Sequence, residues 1–297
     1  MIDIIPFEAE AKLDWIALTD ALAAGHDLPR AEVADSFLYR GDDTLLNRAA
    51  WIDGLGLAVK AATIFPNNAG PSVNGGISLF SDTDGTLEAV VDFHLVTKWK
   101  TAGDSLLAAR RLARPDSRTI LIVGAGTVAA SLRAAYGAAF PDAHFLVWNR
   151  SPAGAEALAA QAANTEAVTD LEAAVARADI VTCATMSNTP VLRGAWLRPG
   201  QHVDLIGAYR PDMREADDDV LTRGALFVDS RATTIGHIGE IQDPLDRGVI
   251  SEADIRADYY DLPAFTRAPE DITVFKNGGG AHLDLMTARY ILEAWRG

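Results

Sequence analysis

Cysteine is nearly absent from this chain: Cys183 is the only one among 297 residues. A single thiol excludes an internal disulfide framework and fits a reducing compartment, so the expected location is cytoplasmic. Basic residues are also scarce, 26 against 41 acidic ones, for a formal net charge of −15. That balance opposes binding to nucleic acid or to an anionic membrane, and no basic tract offsets it. No apolar run approaches the roughly 18 residues of a membrane span. The start, Met1-Ile2-Asp3, has neither a charged n-region nor an apolar h-region, so no signal peptide is expected. The histidines are scattered, and His237 with Glu240 is the one pair at metal-like helical spacing, so no metal is expected. Apolar residues are plentiful instead, at 49%, enough for two cores in a chain of two-domain length.

The most informative stretch is Thr119 to Ser151. An apolar, β-branched run, Ile120-Leu121-Ile122-Val123, reads as a buried parallel strand. Gly124-Ala125-Gly126-Thr127-Val128-Ala129 follows, in the pattern G-x-G-x-x-A, and an Ala-rich helix runs on to about Phe140. His144 to Trp148 reads as a second strand. In a dinucleotide fold Gly124 permits the tight turn and Gly126 lets a pyrophosphate approach the backbone. Ala129 packs helix against sheet, and the helix N-terminus faces the anion. A bare glycine pattern is weak, but here it sits between strand and helix with a second strand at the right spacing. An NAD-type site wants Asp or Glu at the end of that second strand. Asn149-Arg150-Ser151 stands there instead, and a guanidinium fork with two neutral partners suits a phosphate. NADP(H) is therefore expected over NAD(H).

On either side the pattern changes. Residues 1–30 suggest a strand, Ile2 to Ile5, and then a helix; residues 31–96 read mostly as strands. The clearest are Leu55 to Ile64, Ile77 to Ser81 and Leu87 to Val91, the last two joined as a hairpin through Asp82-Thr83-Asp84-Gly85. The strand-rich edge is a plausible dimer surface. Residues 97–113 suggest a hinge followed by a helix. Beyond Ser151, helices at 152–163 and 170–177 alternate with strands at Ala167-Val168, Ile180 to Ala184, His202 to Ile206 and Leu226 to Val228. This alternation predicts an α/β fold: a Rossmann-type doubly wound parallel sheet plus an α+β N-terminal domain. The ligand crevice then lies at the carboxyl ends of the strands, near Ala184-Thr185, Gly207-Ala208 and Asp229-Ser230. A last helix, about His282 to Trp295, is expected to pack back across the domain junction.

Several segments carry a resemblance. They are Val59-Lys60 before Phe65-Pro66-Asn67-Asn68, Thr97-Lys98-Trp99-Lys100-Thr101-Ala102, the glycine fingerprint, and Ala178-Asp179-Ile180-Val181-Thr182. To these add Trp196-Leu197-Arg198-Pro199-Gly200-Gln201-His202 and Gly207-Ala208-Tyr209-Arg210-Pro211-Asp212-Met213-Arg214-Glu215. In order and spacing, from about residue 45 to the end, they resemble the ornithine cyclodeaminase/mu-crystallin family. The resemblance implies a homodimer acting on a small imino or amino acid. Residues 1–104, joined by the C-terminal helix 282–297, would dimerise and cover the substrate. Residues 105–281 would bind NADP and present the nicotinamide from the other side.

That family contains cyclodeaminases, which recycle a held NAD, and ketimine reductases or related dehydrogenases, which perform only net hydride transfer. Cyclodeaminases carry an aspartate where this chain has Tyr209, and a phenol of reference pKa about 10 replaces a carboxylate poorly. Asp212, three residues on, falls at a turn position of the family. Tyr209 and Arg150 both look like the mu-crystallin type. The expected reaction is reduction of Δ1-pyrroline-2-carboxylate or Δ1-piperideine-2-carboxylate to L-proline or L-pipecolate. Ornithine cyclodeaminase, an open-chain amino-acid dehydrogenase such as alanine dehydrogenase, and a non-catalytic binding protein are the alternatives.

Lys60, Lys100 and Tyr209 are the catalytic candidates the resemblance implies. Lys60 either binds the substrate carboxylate or supplies the proton. Lys100 stands where the family has an arginine, and so offers a point charge in place of a planar fork. Arg30 is matched to a carboxylate-binding arginine, with Arg48 as its competitor. Thr101, at the expected helix start, is placed near the diphosphate with Gly124, Ala125, Gly126, Thr127 and Val128. Ala184, Thr185, Met186, Gly207 and Ala208 are placed around the nicotinamide, and Asn149, Arg150 and Ser151 around the 2′-phosphate. Cys183 reads as core. Asp284 either joins the site or caps the last helix. His94 and His282 are further proton donors to consider, each with a structural reading beside it.

Overall fold

The structure, a computed structural model, describes residues 2–297, so Met1, where the expected leader-free start begins, lies outside the described residues. The chain divides into two compact units, Met1–Gly103 with Gly280–Gly297, and Asp104–Gly279.

The first unit opens with β1 (Asp3–Ile5) and α1 (Trp15–His26). Asp14 starts that helix, its carboxylate accepting from the N–H groups of Ile16 and Ala17. Five strands follow: β2 (Glu32–Arg40), β3 (Asp43–Ile52), β4 (Gly56–Ile64), β5 (Val73–Phe80) and β6 (Leu87–Asp92). They form one sheet in the order β1-β6-β5-β4-β3-β2, antiparallel apart from the parallel β1–β6 pair. Burial alternates along β4: Gly56, Ala58, Lys60 and Ala62 are buried. Small side chains on either side of Lys60 let the helix over this face come close. The edge strand β2 is exposed along its whole length and carries Val33, Phe37, Leu38 and Tyr39.

Helix α2 (Phe93–Leu112) starts directly after β6, so the hinge expected at residue 97 is replaced by helix. Asp92 is the start signal, its Oδ1 accepting from Leu95 N at 2.8 Å. Aromatic and β-branched residues lower the intrinsic helix propensity of this first stretch. Packing overrides it: Leu95 and Val96 are fully buried, and Trp99 stacks on Trp15 at 3.8 Å. Thr101 therefore lies inside a helix, a correction to its expected place at a helix start.

The second unit alternates strand and helix: β7 (Thr119–Val123), α3 (Thr127–Ala139), β8 (His144–Trp148), α4 (Pro152–Ala159), β9 (Thr165–Val168), α5 (Leu171–Arg177) and β10 (Ile180–Cys183). Then come β11 (His202–Leu205), α6 (Asp218–Arg223), β12 (Ala225–Val228), α7 (Arg231–Thr234), α8 (Gly239–Asp246), β13 (Ile255–Ala257) and β14 (Thr273–Lys276). All eight strands are parallel, in the order β13-β12-β14-β11-β10-β7-β8-β9. Leu121, Val123, Val181, Val203, Leu205 and Val274 are fully buried in the core. The chain leaves β7 to one side through β8 and returns on the other through β10. That reversal is the switch point where a crevice opens at the strand ends. Strands β13 and β14 escaped the sequence reading, which ended the sheet at Leu226 to Val228; β14 inserts between β11 and β12.

The last helix, α9 (Ala281–Arg296), belongs to the first unit and lies against α1, β3 and β4. Tyr290 ties it to α1, its hydroxyl accepting from Asp14 N at 2.8 Å. Among the described residues no helix is long and apolar enough to cross a membrane.

Candidate active site

In the first unit the buried face of the sheet gathers charge at one point. Lys60 on β4 lies directly opposite Arg48 on β3 and Ile77 on β5. Its Nζ donates to Asp284 Oδ1 on α9 at 3.1 Å and to Thr97 Oγ1 on α2 at 3.3 Å, and it lies 4.7 Å from the centre of the Phe93 ring. Phe93, Thr97 and Lys100 recur at helical spacing, so α2 turns all three to this place. Lys100 Nζ is 4.0 Å from the same Asp284 oxygen. The Arg48 guanidinium is held by Asp35, donating at 2.7, 3.0 and 3.1 Å.

Electrostatics follow from burial and from this crowding of cations. Burial pushes the Lys60 ammonium below its ordinary 10.5; Asp284 pulls it back up, and Lys100 and Arg48 push it down again. For Asp284, burial favours the acid, but Lys100 and Lys60 outweigh it and hold the carboxyl below its ordinary value. Asp284 Oδ2 is buried and has no hydrogen-bond partner. Three cations thus lie near Asp284, and with Asp35 paired to Arg48 they still outnumber the two carboxylates, a surplus of positive charge suited to an anionic ligand.

Asp284 was open to a helix-capping reading; the cap is Gly280, and the carboxylate turns to Lys60. His282 is fully buried, and burial takes its pKa down to about 3, so it stays neutral and is a poor acid at neutral pH. His94 is exposed, edge-on to Phe93. Arg30 lies exposed before β2. Thr97 and Phe93 were not singled out from sequence, because only the fold shows which side chains of α2 face β4.

In the second unit the fingerprint residues occupy the turn from β7 into α3. Gly124 has φ +118°, and a Cβ there would stand 2.6 Å from the Ala184 carbonyl, so only glycine fits. Gly126, the residue before α3, has open space where a Cβ would project. The helix starts at Thr127, and Val128 lies in its first turn, whose N–H groups suit a diphosphate. Ala125 completes the turn. After β8, Asn149 is half-buried and donates to Ser151 O at 3.0 Å, while Arg150 and Ser151 are exposed, and the sequence Asn149-Arg150-Ser151 carries no acid. These residues fit a pyridine dinucleotide: room at the glycine, donors at the helix start, and a cation in place of the acid.

The loops after β10 and β11 lie together. Glu215 Oε1 accepts from Thr185 N at 2.7 Å and Thr185 Oγ1 at 2.8 Å, and Oε2 accepts from Gly207 N at 2.5 Å and Ala208 N at 3.2 Å. Burial pushes Glu215 up to about 8 against the pull of Lys276, and the four donors around it fit the carboxylate. Ala208 is buried, whereas Met186 and Tyr209 are 73% and 56% exposed. Tyr209 faces Arg210, whose Cζ is 5.7 Å from the ring centre. Cys183 is fully buried, its thiol driven well above the ordinary range by burial, as a core residue should be. Glu240, half of the metal-like pair, accepts instead from Glu215 N and Ala216 N at 2.6 and 3.1 Å.

The chain is 52% identical to the Δ1-pyrroline-2-carboxylate reductase of Paracoccus denitrificans over 302 residues, 98% of this chain and 96% of that protein. It is 33% identical to the ketimine reductase mu-crystallin of Rattus norvegicus, covering 80% and 76% of the two chains. The solved Δ1-pyrroline-2-carboxylate reductase of Thermococcus litoralis, in complex with NADH and L-proline, superposes with TM-score 0.89 at 25% identity, over 99% of this chain and 97% of that one. These relatives are oxidoreductases by name, of the reductive type expected from the sequence. Residues 54–297 match the Ornithine cyclodeaminase/mu-crystallin family, and the chain belongs to it.

Proposed function

We propose that the protein is an NADPH-dependent imino-acid reductase that converts Δ1-pyrroline-2-carboxylate or Δ1-piperideine-2-carboxylate to L-proline or L-pipecolate. The observation that carries this reading is the buried Lys60–Asp284 pair within a surplus of cations. Residues 1–104 with 282–297 hold the imino acid, and residues 105–281 hold the dinucleotide, which supplies a hydride to the imine carbon when bound. Lys100 and Arg48 take the substrate carboxylate. Arg48 is favoured over Arg30 because it lies directly opposite Lys60. Lys60 keeps its proton beside Asp284 and gives it to the imine nitrogen, whose positive form is the better hydride acceptor. Burial lowers the affinity of Lys60 for that proton, which eases the transfer.

Arg150, in an Asn149-Arg150-Ser151 stretch that carries no acid after β8, favours NADP(H) over NAD(H). The exposed apolar side chains of β2 support the six-stranded sheet as the face for a second copy of the chain, and a homodimer as the working unit. The single buried thiol suits a reducing cytoplasm. The test follows NADPH absorbance with Δ1-pyrroline-2-carboxylate, beside an ammonia assay with ornithine and NAD. Rapid NADPH loss without ornithine turnover is expected; ammonia from ornithine would overturn the reading of Tyr209 and Arg150 together.

A further inference from the structure

Glu215 has no part in the imino-acid site, but it ties two loops of the second unit together. Its two oxygens do different things: one holds the loop after β10, at Thr185 N and Oγ1, and the other holds the loop after β11, at Gly207 N and Ala208 N. The two loops are packed without clearance, since a Cβ on Gly207 would collide with the Thr185 backbone and the Glu215 carboxylate. Gly124 in the phosphate turn packs in the same way on the Ala184 carbonyl. One contact chain therefore runs from the pyrophosphate turn through Ala184-Thr185 to Gly207-Ala208, and Glu215 closes it. Glu215 is itself held from behind, because Glu240 accepts from its backbone N–H and that of Ala216. Lys276, fully buried, donates to Leu205 O at 2.8 Å and supplies the nearby positive charge.

The position of this clasp in the sheet gives it a purpose. The adenosine side of the crevice lies over β8, on one side of β7, so the other end of a dinucleotide lies over β10 and β11. We propose that Glu215 is a positioning residue for the nicotinamide end of the cofactor, fixing the β10 and β11 loops as one rigid surface. This rests on the dinucleotide reading given above. A carboxyl group suits the role because its two oxygens accept from three backbone N–H groups and face the Thr185 hydroxyl. An amide in its place turns an N–H₂ toward one of the loops and leaves that loop's N–H groups unpaired.

The test is a binding titration, with four ligands, of the wild type and Glu215→Gln. The ligands are NADPH and its nicotinamide-free counterpart 2′-phospho-ADP-ribose, with NADH and ADP-ribose in parallel. In the wild type the reduced dinucleotide should bind more tightly than its counterpart, and Glu215→Gln should lose about tenfold of that margin, roughly 1.4 kcal/mol. Affinity for the nicotinamide-free ligand should change less than about twofold. Thr185→Val, which removes one donor and keeps the volume, should shift the margin in the same direction by less, and it reads the proposal if Glu215→Gln does not fold. A Glu215→Gln protein that keeps the margin, or loses affinity for both ligands equally, overturns the positioning role while the dinucleotide reading stands. A wild type that binds none of the four ligands overturns both.

Discussion

Each unit buries a knot of charge, and the two knots are built on opposite principles. In the second unit Asp204, Glu215, Asp229 and Glu240 surround the buried Lys276, and acids outnumber the cation. They are spent on holding backbone and hydroxyl groups. Asp229 accepts from the N–H groups of Ser230, Gly278 and Gly279 and from Thr234 Oγ1, and Asp204 accepts from Ser105, Thr182 and Tyr136. In the first unit the balance reverses: Lys60, Lys100 and Arg48 outnumber the carboxylates of Asp284 and Asp35, and one oxygen of Asp284 is unpartnered. A buried polar group without a partner costs stability, so its retention points to function. Saturated acids build a frame for loops in the second unit, whereas the first unit keeps one open carboxylate oxygen and an excess of cations.

Variants that erase the difference should have unequal effects. Lys60→Met should be the most damaging, lowering kcat/KM for the imino acid by about 10³-fold, the range of a lost proton donor. Steady-state rates with NADPH and Δ1-pyrroline-2-carboxylate check this, and a loss below tenfold would place Lys60 outside the chemistry. Arg150→Ala comes next, raising KM for NADPH by about tenfold and leaving that for NADH nearly unchanged. Equal KM changes for the two cofactors would remove Arg150 from 2′-phosphate recognition.

Asp204→Asn should have the smallest effect on catalysis, within about twofold, because Asp204 belongs to the frame and its three partners are hydroxyls that can turn. Its signature is in stability. Burial takes Asp204 from 3.8 up to about 6, so its contribution to stability is full below the lower value and is lost as pH rises through the upper one. The wild type should therefore gain on the variant by up to roughly 3 kcal/mol between pH 7 and pH 4 in denaturant titrations. A constant difference across that range would mean Asp204 is no more costly to ionise in the folded protein than in the unfolded chain.

The frame was largely legible in sequence; the residues of the charged site were named there, but their convergence was not. The strand before Gly124, the helix after it and the strand ending at Trp148 announce themselves by composition and period. Strands β13 and β14, of three and four residues, fall beyond the regular strand–helix alternation that exposed β10, β11 and β12, and β14 joins the sheet out of chain order. The start of α2 was misread because Phe93 to Trp99 favours strand by propensity, while the signal that mattered was the carboxylate of Asp92. Lys60 and Asp284 are 224 residues apart, and no local pattern joins them. Arg48 became the stronger of two arginines only through the β3–β4 register, a property of pairing across strands. The family resemblance named Lys60, Lys100 and Asp284; that they meet at one point needed the fold.

The pH dependence of kcat/KM in the wild type and in Asp284→Asn tests the central claim most directly. A reaction that needs the Lys60 ammonium loses activity as pH rises through the Lys60 pKa, which burial places below 10.5. Asp284 raises that pKa by charge and by a hydrogen bond, while Lys100 and Arg48 lower it. Removing the negative charge should therefore move the alkaline limb of the profile to lower pH, together with a lower plateau. A limb that stays in place, or moves upward, would contradict the assignment of Lys60 as the proton donor held by Asp284.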